Sequence, residues 1–360
     1  MPTNLAIQDR ELKQYASKLA TKKLPVVFNL RHLAMHVDVE YKFLRPVVSR
    51  RIDPYQDVFI RKRNSRRRRI AIPNEPLIET QKWILENILS RINTHPRATA
   101  YKKDCSIVYN ANIHLGAKWL VKMDIRDFFH SIFEKEVYSV FHDLGYAPLL
   151  SFEMARICTR IEPKNRSRGP IRKDLKYKFY NSYSHEGYLP QGAPTSPALS
   201  NIVFLPLDEV FESLAWDYGC EYSRYADDIV FSTNSLNFNR EMAVELIGRI
   251  SEQLWNYGYQ VNRRKTRIIS PGARKIVTGL VVCEKKVSLS KDMKNRIETN
   301  VYGCLKFGVI THCQSRKYTV QGFKNHLEGL FNFARSVDPE WTKKMEFKAQ
   351  EIEWPVLDIS

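Results

Sequence analysis

Four residues, Tyr225-Ala226-Asp227-Asp228, constrain this chain of 360 residues more than any others. They lie inside Glu221–Phe231, where apolar and aromatic side chains flank two adjacent acids. That pattern predicts a β-hairpin with carboxylates at its tight turn. Adjacent aspartates also make ordinary turns, because both side chains bond nearby backbone. The hairpin gains meaning from a third acid, Asp124, which ends the apolar run Trp119-Leu120-Val121-Lys122-Met123. Such a run predicts a buried strand, and a helical pattern begins at Phe128-Phe129. An unpaired buried carboxylate is costly or shifts its pKa, and a bound divalent cation removes that cost. Mg2+ prefers carboxylate, phosphate and water oxygens. Two such ions, roughly 3.5–4 Å apart, clamp the attacking and leaving oxygens of an in-line phosphoryl transfer. Three acids on two neighbouring strands can hold that pair.

The charge balance points to a nucleic-acid partner. The chain carries 57 Lys and Arg against 39 Asp and Glu, a net charge of +18, which suits a long phosphate footprint and salt-dependent binding. Its 18 Tyr, 18 Phe and 6 Trp provide both core and stacking surfaces. At this length, two or three packed subdomains are expected. No apolar run approaches the ~20 residues of a membrane span. The N-terminus lacks the apolar core of a signal peptide, so a cytoplasmic setting without membrane attachment is expected. The cysteines at 105, 158, 220, 283, 304 and 313 form no C-x-x-C pair and read as reduced thiols. His312-Cys313 near Cys304 is a weak hint of metal binding.

Residues 1–55 look helical and amphipathic. Arg61–Arg69 places seven positive charges in nine positions, next to the short strand Ile70–Pro73. A charge run is usually a solvated face, but this context predicts a basic β-hairpin. Arginine forks bind phosphate bidentately, so Arg66, Arg68 and Arg69 are candidates for the triphosphate of an incoming nucleotide. Asn74-Glu75-Pro76 opens a helix with Leu77, Ile84, Ile88 and Ile92 at core spacing. Lys102–His114 reads as a polar, aromatic loop, and Lys135–Leu144 as a helix. Residues 159–188 interleave Arg and Lys with Tyr and Phe, which suits either a surface insertion or a loop tracking a nucleic-acid backbone. Leu189–Pro197 is a rigid turn leading into a helix near Ala198–Leu214; Gln191 and Gly192 either make a plain turn or lie against a template–nucleotide pair. Asn239–Tyr257 is an amphipathic helix. Short strands follow at 266–269, 276–282 and 286–289, then basic helices to near Glu351.

These pieces, in this order, resemble the reverse transcriptase family over roughly residues 60–290. The RIAIP segment looks like the fingers motif, VKMDIRDFF like motif A, LPQGAPTSP like motif B, RYADD like motif C and GYQVNRRKT like motif D. RKIVTGLVV is similar to the motif at the palm–thumb junction. Asn110-Ala111-Asn112-Ile113-His114 matches the NAxxH signature of retron reverse transcriptases, and Val277-Thr278-Gly279 matches their VTG signature.

The resemblance implies an α+β right-hand polymerase: an N-terminal helical extension (1–55), fingers (56–115), a ferredoxin-like palm with an antiparallel sheet (116–290, containing the basic insertion 159–188) and a small helical thumb (291–360) with an RNA-binding role. It implies a catalytic set of Asp124, Asp227, Asp228 and Lys265. Two Mg2+ ions, or Mn2+ in their place, would lie on the three aspartates and the Ile125 carbonyl. Lys265 falls beside the leaving pyrophosphate, where it could protonate or offset charge on the leaving group; a solvated lysine is its plain alternative. Phe129 falls at the steric-gate position that separates dNTPs from rNTPs by the 2′-OH; a core aromatic is its plain alternative. Gln191 and Gly192 would shape the nascent pair. Asn110, His114, Val277, Thr278 and Gly279 would place RNA or primer, or else pack the loop and sheet. The implied partners are dNTPs, a cognate structured noncoding RNA, a branched RNA–DNA product and a separate effector protein in antiphage defence. The rival readings are another bacterial reverse transcriptase, group II intron-like or defence-associated; an RNA-dependent RNA polymerase, which Phe129 disfavours; and a non-catalytic RNA-binding module with a polymerase fold.

Overall fold

The computed structural model describes residues 4–61, 67–162 and 186–355. Helices α1 (Asn4–Thr21), α2 (Leu30–His36) and α3 (Tyr41–Val48) precede the hairpin of β1 (Tyr55–Arg61) and β2 (Arg67–Pro73). Then come α4 (Glu75–Asn87), α5 (Ile107–Asn112), β3 (Trp119–Asp124), α6 (Glu134–Leu144), α7 (Pro148–Cys158), α8 (Ser196–Val203) and α9 (Leu205–Asp217). The hairpin of β4 (Glu221–Tyr225) and β5 (Asp228–Thr233) leads into α10 (Arg240–Asn256) and the short strands β6 (Arg267–Ile269), β7 (Lys275–Val277), β8 (Leu280–Val282) and β9 (Val287–Ser288). Helices α11 (Lys291–Phe307), α12 (Val309–Arg316), α13 (Val320–Val337) and α14 (Pro339–Ala349) complete the chain. Mixed helix with antiparallel sheet is the α+β class expected. Among the described residues, no helix is long and apolar enough to cross a membrane.

The chain forms two compact units whose segments interleave. The first comprises Met1–Tyr101, Ile125–Val210 and Ser251–Val261; the second comprises Lys102–Asp124, Phe211–Ile250 and Asn262–Ser360. In the first unit, β1 and β2 pair antiparallel, Tyr55 opposite Pro73 through Arg61 opposite Arg67. Asn74 caps α4, its side chain accepting from Leu77 N–H, with Pro76 in the first turn where a missing N–H costs nothing. Half-buried Arg50 ties this unit together: its guanidinium donates to Glu134 Oε2 at 2.5 Å and to Thr159 O at 2.6 Å, while Arg156 Nε donates to Glu134 Oε1 at 3.0 Å.

In the second unit, a four-stranded antiparallel sheet runs in the order β4-β5-β3-β6. A smaller sheet runs β7-β8-β9. Leu120 and Val230 of the larger sheet share a core with Ala111 of α5, Val277 and Leu280 of the smaller one, and Ile297, Val301, Phe323 and Leu327 of α11 and α13. Burying each such side chain contributes roughly 1.5–3 kcal/mol. That shared core is what seats the C-terminal helices on the sheet bearing the acids.

Several elements differ from the sequence expectation. The stretch 102–114 is not all loop: Ser106 caps α5 by accepting from Tyr109 N–H. The helix expected near Ala198–Leu214 is two helices that meet at Phe204. Phe128 begins only a 3-10 turn, because Asp127 ahead of it is left-handed at φ 49°. The strand expected over 276–282 is a hairpin whose two turn residues, Thr278 and Gly279, have φ of 47° and 85°. Thr278 carries no obvious signal for that geometry, which asparagine or glycine usually fills. At His312-Cys313, no metal cluster forms among the described residues. The His312 ring lies against Gly303, where even a Cβ would collide at 2.4 Å, and its Nε2 meets Asn300 Oδ1 at 3.4 Å.

Candidate active site

The hairpin of β4 and β5 closes in register, Tyr225 opposite Asp228, so Ala226 and Asp227 alone make its turn. Ala226 sits at φ 56°, a conformation that an L residue with a Cβ adopts at a cost. Arg224, fully buried, donates from Nη1 to the Ala226 carbonyl at 3.2 Å and holds the strained turn. Strand β3 lies on the other side of β5, with Asp124 directly opposite Asp228. Side chains so paired share one face of the sheet with Cβ atoms ~4.5–5.5 Å apart. Three carboxylates therefore meet at one end of one sheet, and Asp124 is only 3 % exposed.

Such crowding needs positive charge. Lys265 Nζ lies 2.5 Å from Asp124 Oδ2, and Asn262 Nδ2 donates to Asp124 Oδ1 at 2.9 Å. Asn262 N–H also donates to the Asp124 carbonyl at 2.7 Å, which locks the turn carrying Lys265 onto the end of β3. Lys122 Nζ stands 3.4 Å from Asp228 Oδ2. Burial, reinforced by the charges of Asp124 and Asp228, pushes the Asp227 carboxyl above the ordinary carboxylate range. Burial alone would lower the Lys265 ammonium, but its hydrogen bond to Asp124 and the three acids together raise it. The set fits a hard cation: all-oxygen, acid-rich and partly desolvated. Among the described residues no three His, Cys, Asp or Glu side chains close to metal-binding distance. As placed, Lys265 occupies Asp124 Oδ2, and a metal held by that oxygen would have to displace it.

The comparisons with known proteins agree with this geometry. The reverse transcriptase (RNA-dependent DNA polymerase) family profile matches residues 60–324. The Retron Ec86 reverse transcriptase of Escherichia coli is 29% identical over 332 residues, covering 91% of this chain and 90% of the relative. The Retron Ec73 reverse transcriptase of the same organism is 30% identical over 315 residues, 85% of this chain and 91% of the relative. The chain belongs to the reverse transcriptase family, and is of the retron type. The profile spans β2 of the basic hairpin, the acid-bearing sheet and the first C-terminal helices of this reverse transcriptase.

Within the first unit of the reverse transcriptase, the two phenylalanines after Asp124 separate. Phe128 is buried against Phe204 and Tyr259, with ring centroids at 5.6 and 6.1 Å. Phe129 is half-buried, with its ring tilted against those of Phe128 and Tyr101 at centroid distances of 5.6 and 6.2 Å. Ile125 is buried and bridges Val261, but the flanking hydrogen bonds use the Asp124 carbonyl and the Arg126 amide. The Gln191 carbonyl accepts from Ala71 N–H at 2.8 Å, which joins the LPQGAP turn to the basic hairpin. Gly192 sits at φ 121°, and a Cβ there would lie 2.7 Å from both the Ala71 carbonyl oxygen and Ile70 Cγ2. Arg68 is exposed. Arg69 is committed to Asp57 at 2.6 Å and Glu162 at 2.8 Å, with Nη2 buried and without a hydrogen-bond partner among the described residues. Arg66 and most of the basic insertion lie outside the described residues.

In the second unit, the two retron signatures are mainly interior. Asn110 is fully buried, His114 is 1 % exposed and Val277 is buried; Thr278 is half-buried and Gly279 exposed. Thr278 Oγ1 donates to the Ile107 carbonyl at the start of α5 at 3.2 Å, so the VTG turn and the NAxxH helix touch. Sequence reasoning missed Asn262, Arg224 and Lys122. Asn262 had a signal, since an asparagine three residues before Lys265 can cap the turn that presents it. Arg224 had none: one arginine on a strand reads as solvated, and only the structure buries it.

Proposed function

We propose that this reverse transcriptase copies its cognate noncoding RNA by a two-metal mechanism on Asp124, Asp227 and Asp228. The observation that carries this reading is the pairing of Asp124 with Asp228 across β3 and β5, with Asp227 in the adjoining turn. Two Mg2+ ions, when bound, would lower the pKa of the primer hydroxyl and neutralise the triphosphate and the departing pyrophosphate. Asp124 and Asp227 would hold them, with Asp228 and the Ile125 carbonyl assisting. Lys265, once displaced from Asp124, is placed to offset charge on the leaving group. Phe129 would exclude the 2′-OH of ribonucleotides, Arg68 and, once released from Asp57 and Glu162, Arg69 would meet triphosphate oxygens, and Gln191 with Gly192 would shape the nascent pair.

The retron type supports further elements of the reading: a branched RNA–DNA product that stays with the protein, a cytoplasmic setting and a separate effector in antiphage defence. The test is direct. The double variant Asp227→Asn, Asp228→Asn should retain binding of the cognate RNA and lose DNA synthesis. Undiminished synthesis would overturn the assignment. Sequencing copurified nucleic acid tests the product, the expected outcome being short DNA joined to RNA through a 2′-5′ linkage.

A further inference from the structure

The two arms of the hairpin that presents Asp227 and Asp228 are joined through one histidine. His114 follows α5 and is 1 % exposed. Its Nδ1 lies 2.7 Å from Ser232 Oγ, and its Nε2 lies 2.7 Å from Ser223 Oγ. Ser223 belongs to β4 and Ser232 to β5, the two arms of the hairpin. Ser223 is opposite Val230, and Ser232 is opposite Glu221, so the serines stand diagonally on one face. Asp228 lies on that face too, because side chains on β5 alternate and 228, 230 and 232 share a side. Both serines are buried, at 0 and 3 % exposure.

We propose that His114 is a positioning residue that fixes the two arms of the hairpin against each other and so sets where Asp227 and Asp228 stand. A neutral imidazole has one donor and one acceptor, and a serine hydroxyl can be either. The bridge is therefore satisfied in both tautomers, and it needs a ring with two nitrogens on opposite edges. Buried, satisfied polar groups of this kind rigidify their surroundings, since breaking any one leaves an unpaired polar atom inside. The brace is anchored in turn. α5 packs in the shared core through Ala111, and its first carbonyl accepts from Thr278 of the VTG turn. The two signature strings thus form one support under the acid-bearing hairpin. His114 itself has almost no surface to offer RNA. Catalytic groups must be held within ~0.5 Å of the productive geometry, and a displacement of about 1 Å costs up to ~100-fold in rate.

This inference rests on the reading of Asp227 and Asp228 as catalytic. The experiment is steady-state primer extension on an RNA template with saturating Mg2+, comparing wild type, Ser223→Ala, Ser232→Ala, His114→Gln and the His114→Gln, Ser223→Ala pair. The expected result is a fall in kcat of roughly tenfold or more for each single variant. KM for dNTP and affinity for the cognate RNA should stay within about twofold, and the paired variant should be little worse than the worse single one, since residues in one network do not add. The serine variants remove only a hydroxyl and carry the test if His114→Gln does not fold. Wild-type kcat in both serine variants would overturn the proposal. So would RNA affinity that falls with His114→Gln while kcat holds, or a rate loss that merely tracks loss of folded protein in a thermal melt. Failure of the underlying reading appears separately in the same assay, as synthesis by Asp227→Asn.

Discussion

Lys265 Nζ lies 2.5 Å from Asp124 Oδ2, the buried acid at the end of β3. The two side chains are unequal: that of Lys265 is 61% exposed and that of Asp124 only 4%. A lysine is a point charge on a flexible stem, so Lys265 can leave while Asp124 cannot. The ammonium thus sits on the acid that the proposed two-metal reading assigns to Mg2+, and under that reading it would compete with the ion for Asp124 Oδ2. The same freedom lets it follow the negative charge that develops on a leaving group.

Lys265→Met should therefore separate two effects. Removing the competing ammonium lowers the Mg2+ concentration needed for half-maximal synthesis. Removing a proton donor or counter-charge lowers kcat, by ~100-fold to 10,000-fold if Lys265 acts as a general acid. Mg2+ titration of primer extension reads both quantities. A Mg2+ requirement that rises in Lys265→Met would mean that the ion pair assists metal binding.

The raised affinity of Asp227 for its proton is a statement about stability. Its ordinary value is 3.8, and burial followed by the charge of Asp124 lifts it in the folded protein. The stability contributed by the protonated form is complete below the unfolded value and is lost as pH rises through the folded one. At neutral pH the metal-free protein thus holds an ionised acid that folding disfavours. Asp227→Asn should melt higher than wild type at pH 7 in chelator, by roughly 1–3 °C, and this gap should shrink toward pH ~4. Mg2+ should raise the melting temperature of wild type more than that of the variant. A variant less stable than wild type at neutral pH would show that Asp227 is satisfied without metal.

How far these features were legible in the sequence depends on what set them. The YADD hairpin, the strand ending at Asp124 and the long helix after Asn239 follow from local alternation and periodicity, and the structure has all three. The helix α5 was hidden because Ile107–Asn112 is too short to show a period, and only Ser106 marks its start. The break at Phe204 was hidden because α8 and α9 are both apolar enough to read as one helix. The surroundings of Asp124 were only half visible. Lys265 could be assigned by resemblance, but contact between Asn262 and Asp124 spans a separation that no local pattern encodes. His114 shows the same limit from the other side: its motif was readable, while its burial between two serines is a property of the fold.

Gly192 illustrates a requirement that sequence left open between turn and binding surface. Its φ of 121° is a conformation that L side chains rarely adopt, and a Cβ would meet Ala71 backbone and Ile70 at 2.7 Å. Gly192→Ala should push the LPQGAP turn away from the basic hairpin and break the hydrogen bond from Ala71 N–H to the Gln191 carbonyl. The expected outcome is a melting temperature lower by several degrees, consistent with strain of about 1–3 kcal/mol, and a higher KM for dNTP. A variant with wild-type stability would show that the hairpin yields without cost.

Phe129 offers the sharpest test of the steric gate because its neighbour provides the control. Both rings follow Asp124 on the same 3-10 turn, yet Phe128 is packed on Phe204 and Tyr259 while Phe129 is half-buried beside Tyr101. Truncating Phe128 opens a cavity in the core, and large-to-small changes there cost ~3–5 kcal/mol. Truncating Phe129 removes a ring with much less packing and should leave the fold intact. Phe129→Val should then retain dNTP incorporation and raise kcat/KM for rNTP relative to dNTP by at least roughly tenfold, the scale on which pocket shape discriminates. Phe128→Val should instead lower the melting temperature with no gain in ribonucleotide use. Single-nucleotide primer extension with matched dNTP and rNTP measures the ratio, and equal sugar selectivity in Phe129→Val and wild type would remove Phe129 from the nucleotide pocket.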